Sequence, residues 1–423
     1  MNRINPKIEF KTFTLEDGLK VILSVNKKIP SVSQNITFKV GSKNDFKGRS
    51  GIAHLLEHLM FEGFQNKYEL GFDEILESYG GENNAYTNWD LTGYYINIPS
   101  HCFESALWLD SCRFSEICFD ENDFNIQKSV VLEENLKTHE NVSYGTVERE
   151  SSKLLFTDNG YNMPVIGLPE EIKKISFSDV KNFYRSFYSS ERAVISIVGD
   201  IDYSVTEKLV RKYFSQIPNF RQDVRKKEYC FFDTPLKGEI ISEIKSEVNL
   251  PAVFIFYKMP AKGTKEYSTA YLIKKFLSSG ESSALVHRLQ YTKCLANEID
   301  VYICELEFLS LFVINVVANN NTDLDLIINE IDIELNSLKN KSVEENKLLK
   351  VKNKIETEYY FKLQSSSVIA EKLSEYSLLF EDCNKINNEL NDFLNVSEND
   401  ILSFADKFLN DKRLILKYLP ESK

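Results

Sequence analysis

Hydrophobic and polar positions change their period several times along the chain, and each change marks an element. Between Phe10 and Val25 two strand-like runs flank Glu16-Asp17-Gly18, a turn signature that predicts a hairpin. Ser31 to Val40 alternates as a further strand, and Gly51 to Phe61 then switches to a helical period. A second helix is predicted from Tyr68 to Tyr79, stopped by Gly80-Gly81. Leu91 to Ile98 reads as a strand and His101 to Cys118 as a helix. Asp123 to about Phe156 reads as one long helix, with Asn141 to Gly145 as its weakest stretch. After a Gly/Pro/Asn loop from Asn159 to Pro169, Ser178 is expected to cap a helix, and Arg192 to Val198 forms a strand closed by Gly199-Asp200. A helix from Ser204 to Ile217 follows.

From Pro218 to Lys237 charge clusters and a proline replace any clear period, which predicts a linker. Beyond it the order of elements repeats. Ile240 to Ile244 and Ala252 to Lys258 read as strands, and Thr264 to Leu277 as a helix stopped by Gly280. Near the two ends the repeat shows in the letters. Asp179, Val180, Phe183, Phe187 and Arg192 correspond to Asp400, Ile401, Phe404, Phe408 and Arg413 at one constant offset of 221 residues. The expected organisation is a first α+β domain over 1–217, a linker over 218–237 and a second α+β repeat over 238–423. Each repeat is expected to be a mainly antiparallel sheet flanked by helices.

Composition narrows the functional classes. With 43% hydrophobic and 27% charged residues, the 423-residue chain is neither disordered nor a multi-span membrane protein. No run of about 18 apolar residues predicts a membrane span. A formal net charge of −12 argues against nucleic acid as a partner. The seven cysteines include no Cys-x-x-Cys pair, which argues for reduced, mostly structural thiols. The first residues carry no apolar run, so the expected compartment is the cytoplasm, with the periplasm as the alternative.

The chemistry lies in Gly51-Ile52-Ala53-His54-Leu55-Leu56-Glu57-His58-Leu59-Met60-Phe61. On a helix, positions i and i+4 share one face and i+3 lies beside them. His54 and His58 therefore offer two imidazoles to one metal, with Glu57 alongside as the base for an activated water. Only five histidines occur in the whole chain, so the pattern is rare by chance. A third ligand must come from elsewhere. The long helix offers Glu133 or Glu134, of which one at most points at the metal because neighbours on a helix stand about 100° apart. His139 is a further candidate.

His54-x-x-Glu57-His58, followed 76 residues later by Glu134, resembles the inverted zinc motif of the pitrilysin/insulinase peptidases. Gly41-Ser42, Phe61-Glu62-Gly63, Gly80-Gly81-Glu82-Asn83-Asn84-Ala85-Tyr86-Thr87, Val130-Val131-Leu132-Glu133-Glu134, Pro164-Val165-Ile166-Gly167 and Val198-Gly199-Asp200 fit the same family. The resemblance implies half of a clamshell-shaped zinc endopeptidase, similar to the short, processing-peptidase-like metal-bearing subunits. It implies zinc on His54, His58 and Glu134, water activation by Glu57, and a peptide backbone paired with Asn84 and Ala85 on an edge strand.

Two positions depart from the family. Where it often has a glutamate seven residues before the metal-binding glutamate, this chain has Gln127. Where many members carry an arginine and a tyrosine seven residues apart, to bind the substrate carbonyl and its oxyanion, this chain has Gln290 and Asn297; Arg288 and Tyr291 are near but not so spaced. The expectation that follows is a subunit acting on unfolded peptides and completed by a homologous non-metal partner bearing the Arg/Tyr pair, with a homodimer as the other arrangement. The alternative function is a non-catalytic structural or assembly subunit.

Overall fold

The computed structural model describes residues 7–115, 117–157, 160–215, 234–340 and 343–421. These residues form two compact units, one built from Met1–Asn135, Met163–Cys230 and Phe361–Asn387, the other from Leu136–Asn162, Phe231–Tyr360 and Asn388–Lys423. The units interleave along the chain, where the sequence pattern suggests boundaries at 217 and 238. Of the expected linker, all but 234–237 lies outside the described residues.

The first unit centres on six strands: β1 (Lys11–Thr14), β2 (Lys20–Val25), β3 (Ser31–Phe38), β4 (Glu82–Thr87), β5 (Thr92–Pro99) and β6 (Ala193–Gly199). Their order across the sheet is β1-β2-β6-β3-β5-β4. All pairs are antiparallel except β2 with β6, so the sheet is mixed. Side chains alternate between faces along a strand. Val21, Leu23, Ile195 and Ile197 accordingly join the large core with Leu55, Leu56, Leu59, Leu107 and Phe183. Ile22, Val194 and Val198 face the opposite way and contact Ile369, Ala370, Leu373 and Tyr376 of the helix Ser366–Phe380. β6 is buried on both faces, which explains a run that is apolar apart from Ser196, whose hydroxyl bonds to Ser374. β4 forms one edge, with Asn84 opposite Tyr95 and Ala85 opposite Tyr94.

The second unit repeats this plan with β7 (Ile240–Ser246), β8 (Ala252–Met259), β9 (Ala296–Glu305), β10 (Ser310–Ala318) and β11 (Arg413–Pro420), in the order β7-β11-β8-β10-β9. Again the last strand forms the parallel pair, β11 with β7 as β6 with β2, and the others are antiparallel. The register repeats as well: Lys20 pairs with Val194 in the first sheet and Ile241 with Ile415 in the second, each partner displaced by 221 residues. Two capping boxes carry the same offset. Ser176 and Asp179 exchange hydrogen bonds at the start of the helix Phe177–Phe187, and Ser397 and Asp400 at the start of Glu398–Phe408. The cap of the former helix is Ser176, not Ser178, because a capping box needs an acceptor side chain three residues ahead of its acidic partner.

The long helix expected from Asp123 to Phe156 is broken. It runs from Glu121 to Asn135, opens into a wider turn over Leu136–Glu140, and resumes at Val147–Leu155. Tyr144 takes a left-handed φ of 64° at the break, and a Cβ on Gly145 would meet the His139 carbonyl oxygen at 2.2 Å. None of the six described cysteines is in a disulfide. No described helix is long and apolar enough to cross a membrane.

Candidate metal centre

The helix Ile52–Leu59 buries Ile52, Ala53, Leu55, Leu56 and Leu59 in the first unit's core. His54, Glu57 and His58 stay half-buried on its other side, as the 3.6-residue period requires. Its first amides are satisfied by Asp45, whose carboxylate accepts from Gly51 N at 2.6 Å and Ala53 N at 3.0 Å. Burial pushes the Asp45 carboxyl well above its usual range against these two hydrogen bonds, and Glu171 pushes the same way. Six residues separate Asp45 from Gly51, beyond the reach of a local capping signature, so the sequence gives no sign of this cap.

Glu134 comes from the helix Glu121–Asn135, next to its last residue. A turn fixes this helix end to the start of the histidine helix. Asn135 Nδ2 donates to the Gly167 carbonyl at 3.0 Å, and Leu168 N donates to Ser50 Oγ at 3.0 Å. Gly51 and Gly167 both have left-handed backbones, with φ of +87° and +85°. A Cβ on Gly51 would meet the Ile166 carbonyl at 2.5 Å, and one on Gly167 would meet the Ser50 carbonyl at 2.5 Å. The close approach of these two backbones therefore excludes larger side chains at both positions.

The result is a convergent donor set. His58 Nε2 lies 3.4 Å and His54 Nε2 3.9 Å from Glu134 Oε2, and one ligand atom from each residue falls within 4.8 Å of the others. The two imidazole rings stand at 76° with centroids 4.8 Å apart. Ligand atoms about 2 Å from a tetrahedral zinc lie about 3.4 Å from one another; the His58–Glu134 separation matches this, and the wider His54 separation closes with a small side-chain shift, so the donor set suits zinc. Glu133 is exposed, and His139 lies in the turn beyond the helix with Nδ1 2.7 Å from Thr138 Oγ1; neither belongs to the cluster. Among the described residues no other such cluster of histidine, cysteine and carboxylate groups occurs.

Neighbouring groups set the orientation of the donors. Gln127 Oε1 stands 3.3 Å from His58 Nδ1, and Gln127 Nε2 donates to Glu62 Oε1 at 2.6 Å. Since an amide oxygen only accepts, the His58 proton sits on Nδ1 and Nε2 keeps its lone pair for a metal. Burial opposes protonation of His58, but hydrogen bonding and charge from Glu134, with Glu57 and Gln127, hold its imidazole above the ordinary value. Glu57 Oε2 accepts from Thr87 Oγ1 at the end of β4. Burial raises the Glu57 carboxyl, while Thr87 and His58 act against the rise. Glu62 and Thr87 lie within stretches that the sequence singles out, yet their roles follow only from the fold. On the edge strand, Asn84 Oδ1 accepts from the neighbouring Ala85 N at 2.8 Å.

In the second unit, Gln290 Nε2 donates to the Asn297 carbonyl at 2.7 Å. Arg288 is engaged by Glu330 at 2.5 Å and Glu334 at 2.8 Å, and Tyr291 is exposed.

A sequence profile described as "Insulinase (Peptidase family M16)" matches residues 20–166, and a second, "Peptidase M16 inactive domain", matches residues 174–355. The chain belongs to the insulinase family, peptidase family M16. Its relatives include the zinc protease PqqE of Helicobacter pylori, 26% identical over 415 residues, covering 98% of this chain and 93% of that one. The crystal structure of a protease from Helicobacter pylori superposes with a TM-score of 0.91 at 25% identity, over 98% of this chain and 100% of the other. The periplasmic protease PqqL of Escherichia coli shares the fold at a TM-score of 0.78 and 18% identity; the match covers 98% of this chain and 48% of that one. Membership of this family agrees with the two mixed-sheet halves and with the peptidase class that its relatives' names carry.

Proposed function

We propose that this insulinase-family chain is the metal-bearing subunit of a zinc-dependent endopeptidase that hydrolyses peptide bonds in unfolded peptides. The convergence of His54 Nε2, His58 Nε2 and Glu134 Oε2 beside Glu57 carries the reading. In it, His54, His58 and Glu134 hold zinc. Zinc, when bound, supplies a Lewis acid that acidifies water and polarises a carbonyl. Glu57 takes the proton of the attacking water on its carboxylate and returns it to the leaving amine. Thr87 holds that carboxylate in place, and Gln127 fixes the ring of His58. The open edge of β4 receives an extended peptide, whose backbone pairs beside Asn84 and Ala85 in place of the bond now made by the Asn84 side chain.

A second, homologous subunit without metal completes the site by donating an arginine and a tyrosine. Gln290 and Asn297 bond to each other where that pair is expected, and Arg288 is already held by two carboxylates. The test is cleavage of an unfolded peptide by the purified chain. Cleavage is expected to be weak, to stop on chelation, to return with zinc, and to rise when a homologous Arg/Tyr-bearing subunit is added. Cleavage that survives chelation contradicts the zinc reading, and full activity of the chain as a monomer contradicts the two-subunit reading.

A further inference from the structure

The second unit contains an open cavity of about 590 Å³, bordered by the helix Lys265–Ser278, the turn that follows it and the helix Glu345–Lys362. This volume falls within the usual range of small-molecule sites. In a chain of net charge −12, six cationic side chains line it, against two carboxylates. Four of the cations are neutralised locally. Lys275 pairs with Glu358 at 2.6 Å, Arg288 with Glu330 and Glu334, Lys293 with Glu330 at 3.3 Å, and Lys347 with Glu344 at 3.0 Å. Those four cations meet four carboxylates and cancel.

Lys350 and Lys354 are the surplus. They lie one helical turn apart and so share a face. Lys350 Nζ donates to Ser282 Oγ at 2.7 Å, and Lys354 Nζ to the Ser279 carbonyl at 3.2 Å. Both ammonium groups are thus drawn to the same turn at the cavity wall, and both partners are neutral. Neither lysine pairs with a carboxylate among the described residues. The cavity therefore presents two uncompensated positive charges. The rest of the wall is mixed: Phe276, Leu338, Val343 and Val351 form an apolar patch, and serines, Thr292 and His287 supply neutral polar groups.

Two ammonium groups drawn to one turn, with an apolar patch in the same cavity, select a ligand with a compact dianionic head and an apolar body. A phosphate monoester has that character, since its second ionisation falls near pH 6 and gives it a charge approaching −2 at neutral pH. Lysine suits a phosphate as a point-charge partner, and the Ser282 hydroxyl adds a neutral donor. We propose that this cavity binds a small phosphate monoester, the phosphate held by Lys350 and Lys354 and the organic body seated on Phe276 and Val351. The site is independent of the metal centre and of its proposed activity.

The experiment is calorimetric titration of the full chain with phenyl phosphate, inorganic phosphate and benzoate at one fixed ionic strength, because such contacts are screened by salt. Phenyl phosphate is expected to bind with one-to-one stoichiometry, about tenfold more tightly than either of the others. The double variant Lys350→Ala/Lys354→Ala is expected to lose about tenfold or more of that affinity. Both side chains are exposed, and an unchanged melting temperature establishes that the variant is folded. No heat of binding, undiminished binding by the folded variant, or benzoate binding as tightly as phenyl phosphate overturns the proposal. Inorganic phosphate binding as tightly as the ester overturns the assignment to an ester with an apolar body.

Discussion

Gln127 stands between His58 and Glu62, its amide oxygen 3.3 Å from the His58 Nδ1 and its amide nitrogen 2.6 Å from a Glu62 oxygen. A neutral residue thereby links a metal-facing imidazole to a carboxylate. Glu62 supplies the negative charge one bond further out, and burial keeps its carboxyl above the usual range. Gln127→Ala removes the acceptor that fixes the His58 tautomer. Zinc affinity is expected to fall about 10- to 100-fold with the fold retained. Competition titration with a fluorescent zinc chelator measures it, and unchanged affinity would show that His58 is oriented by other contacts.

The turn around Gly167 is expected to be as critical to the metal centre as a ligand-bearing helix. Gly167→Ala places a Cβ 2.5 Å from the Ser50 carbonyl in a left-handed backbone. The left-handed conformation alone costs about 1–2 kcal/mol, and relief of the clash must separate the helices that carry His54 and Glu134. Both a lower melting temperature and weaker zinc binding are expected. A variant that melts lower but binds zinc with full affinity would mean that the turn does not position Glu134.

The paired capping boxes predict a pH dependence. At Asp179, burial raises the carboxyl, but hydrogen bonds from Ser176 and the nearby Arg49 outweigh it and leave it below the ordinary 3.8; at Asp400, burial is likewise outweighed, by Lys265 and Ser397. A folded value below the unfolded one means that each group's stabilisation is complete above pH 3.8 and is lost as pH falls through the still lower folded value. Asp179→Asn and Asp400→Asn are each expected to cost about 1 kcal/mol near neutral pH. In acid below the folded values the cost should disappear. Urea denaturation of each variant at both pH extremes checks this, and an equal cost at both would assign the loss to packing instead of charge.

Legibility in the sequence followed how local each cause was. The histidine helix was readable because His54, Glu57 and His58 lie within five residues and face away from Leu55, Leu56 and Leu59. The duplication was readable from one offset, and the sheet order and register then repeat with it. The placement of the helix Ser366–Phe380 on the first sheet was not readable. Its apolar face, with Ile369, Leu373 and Tyr376, shows that it packs but not against what, and only the fold brings Val194 and Val198 beneath it. The break after Asn135 was half visible: Gly145 hinted at it, but it begins earlier, in the widened turn from Leu136. Asp45 and Thr87 escaped because their partners, the amides of Gly51 and Ala53 and the carboxylate of Glu57, are brought to them by tertiary structure. The choice of Glu134 over Glu133 and His139 rested on the family resemblance; the helix phase places Glu134 with the histidines and leaves Glu133 exposed.

The central claim separates metal holding, by His54, His58 and Glu134, from proton transfer, by Glu57. The most direct measurement is zinc content together with peptide turnover for the wild-type chain and for Glu57→Gln, each assayed with the same partner subunit. The wild-type chain should carry one zinc and cleave. Glu57→Gln should carry the same zinc and lose about 10²- to 10⁴-fold in turnover. A wild-type chain that binds no zinc, or a zinc-loaded Glu57→Gln that cleaves at the wild-type rate, would contradict the account.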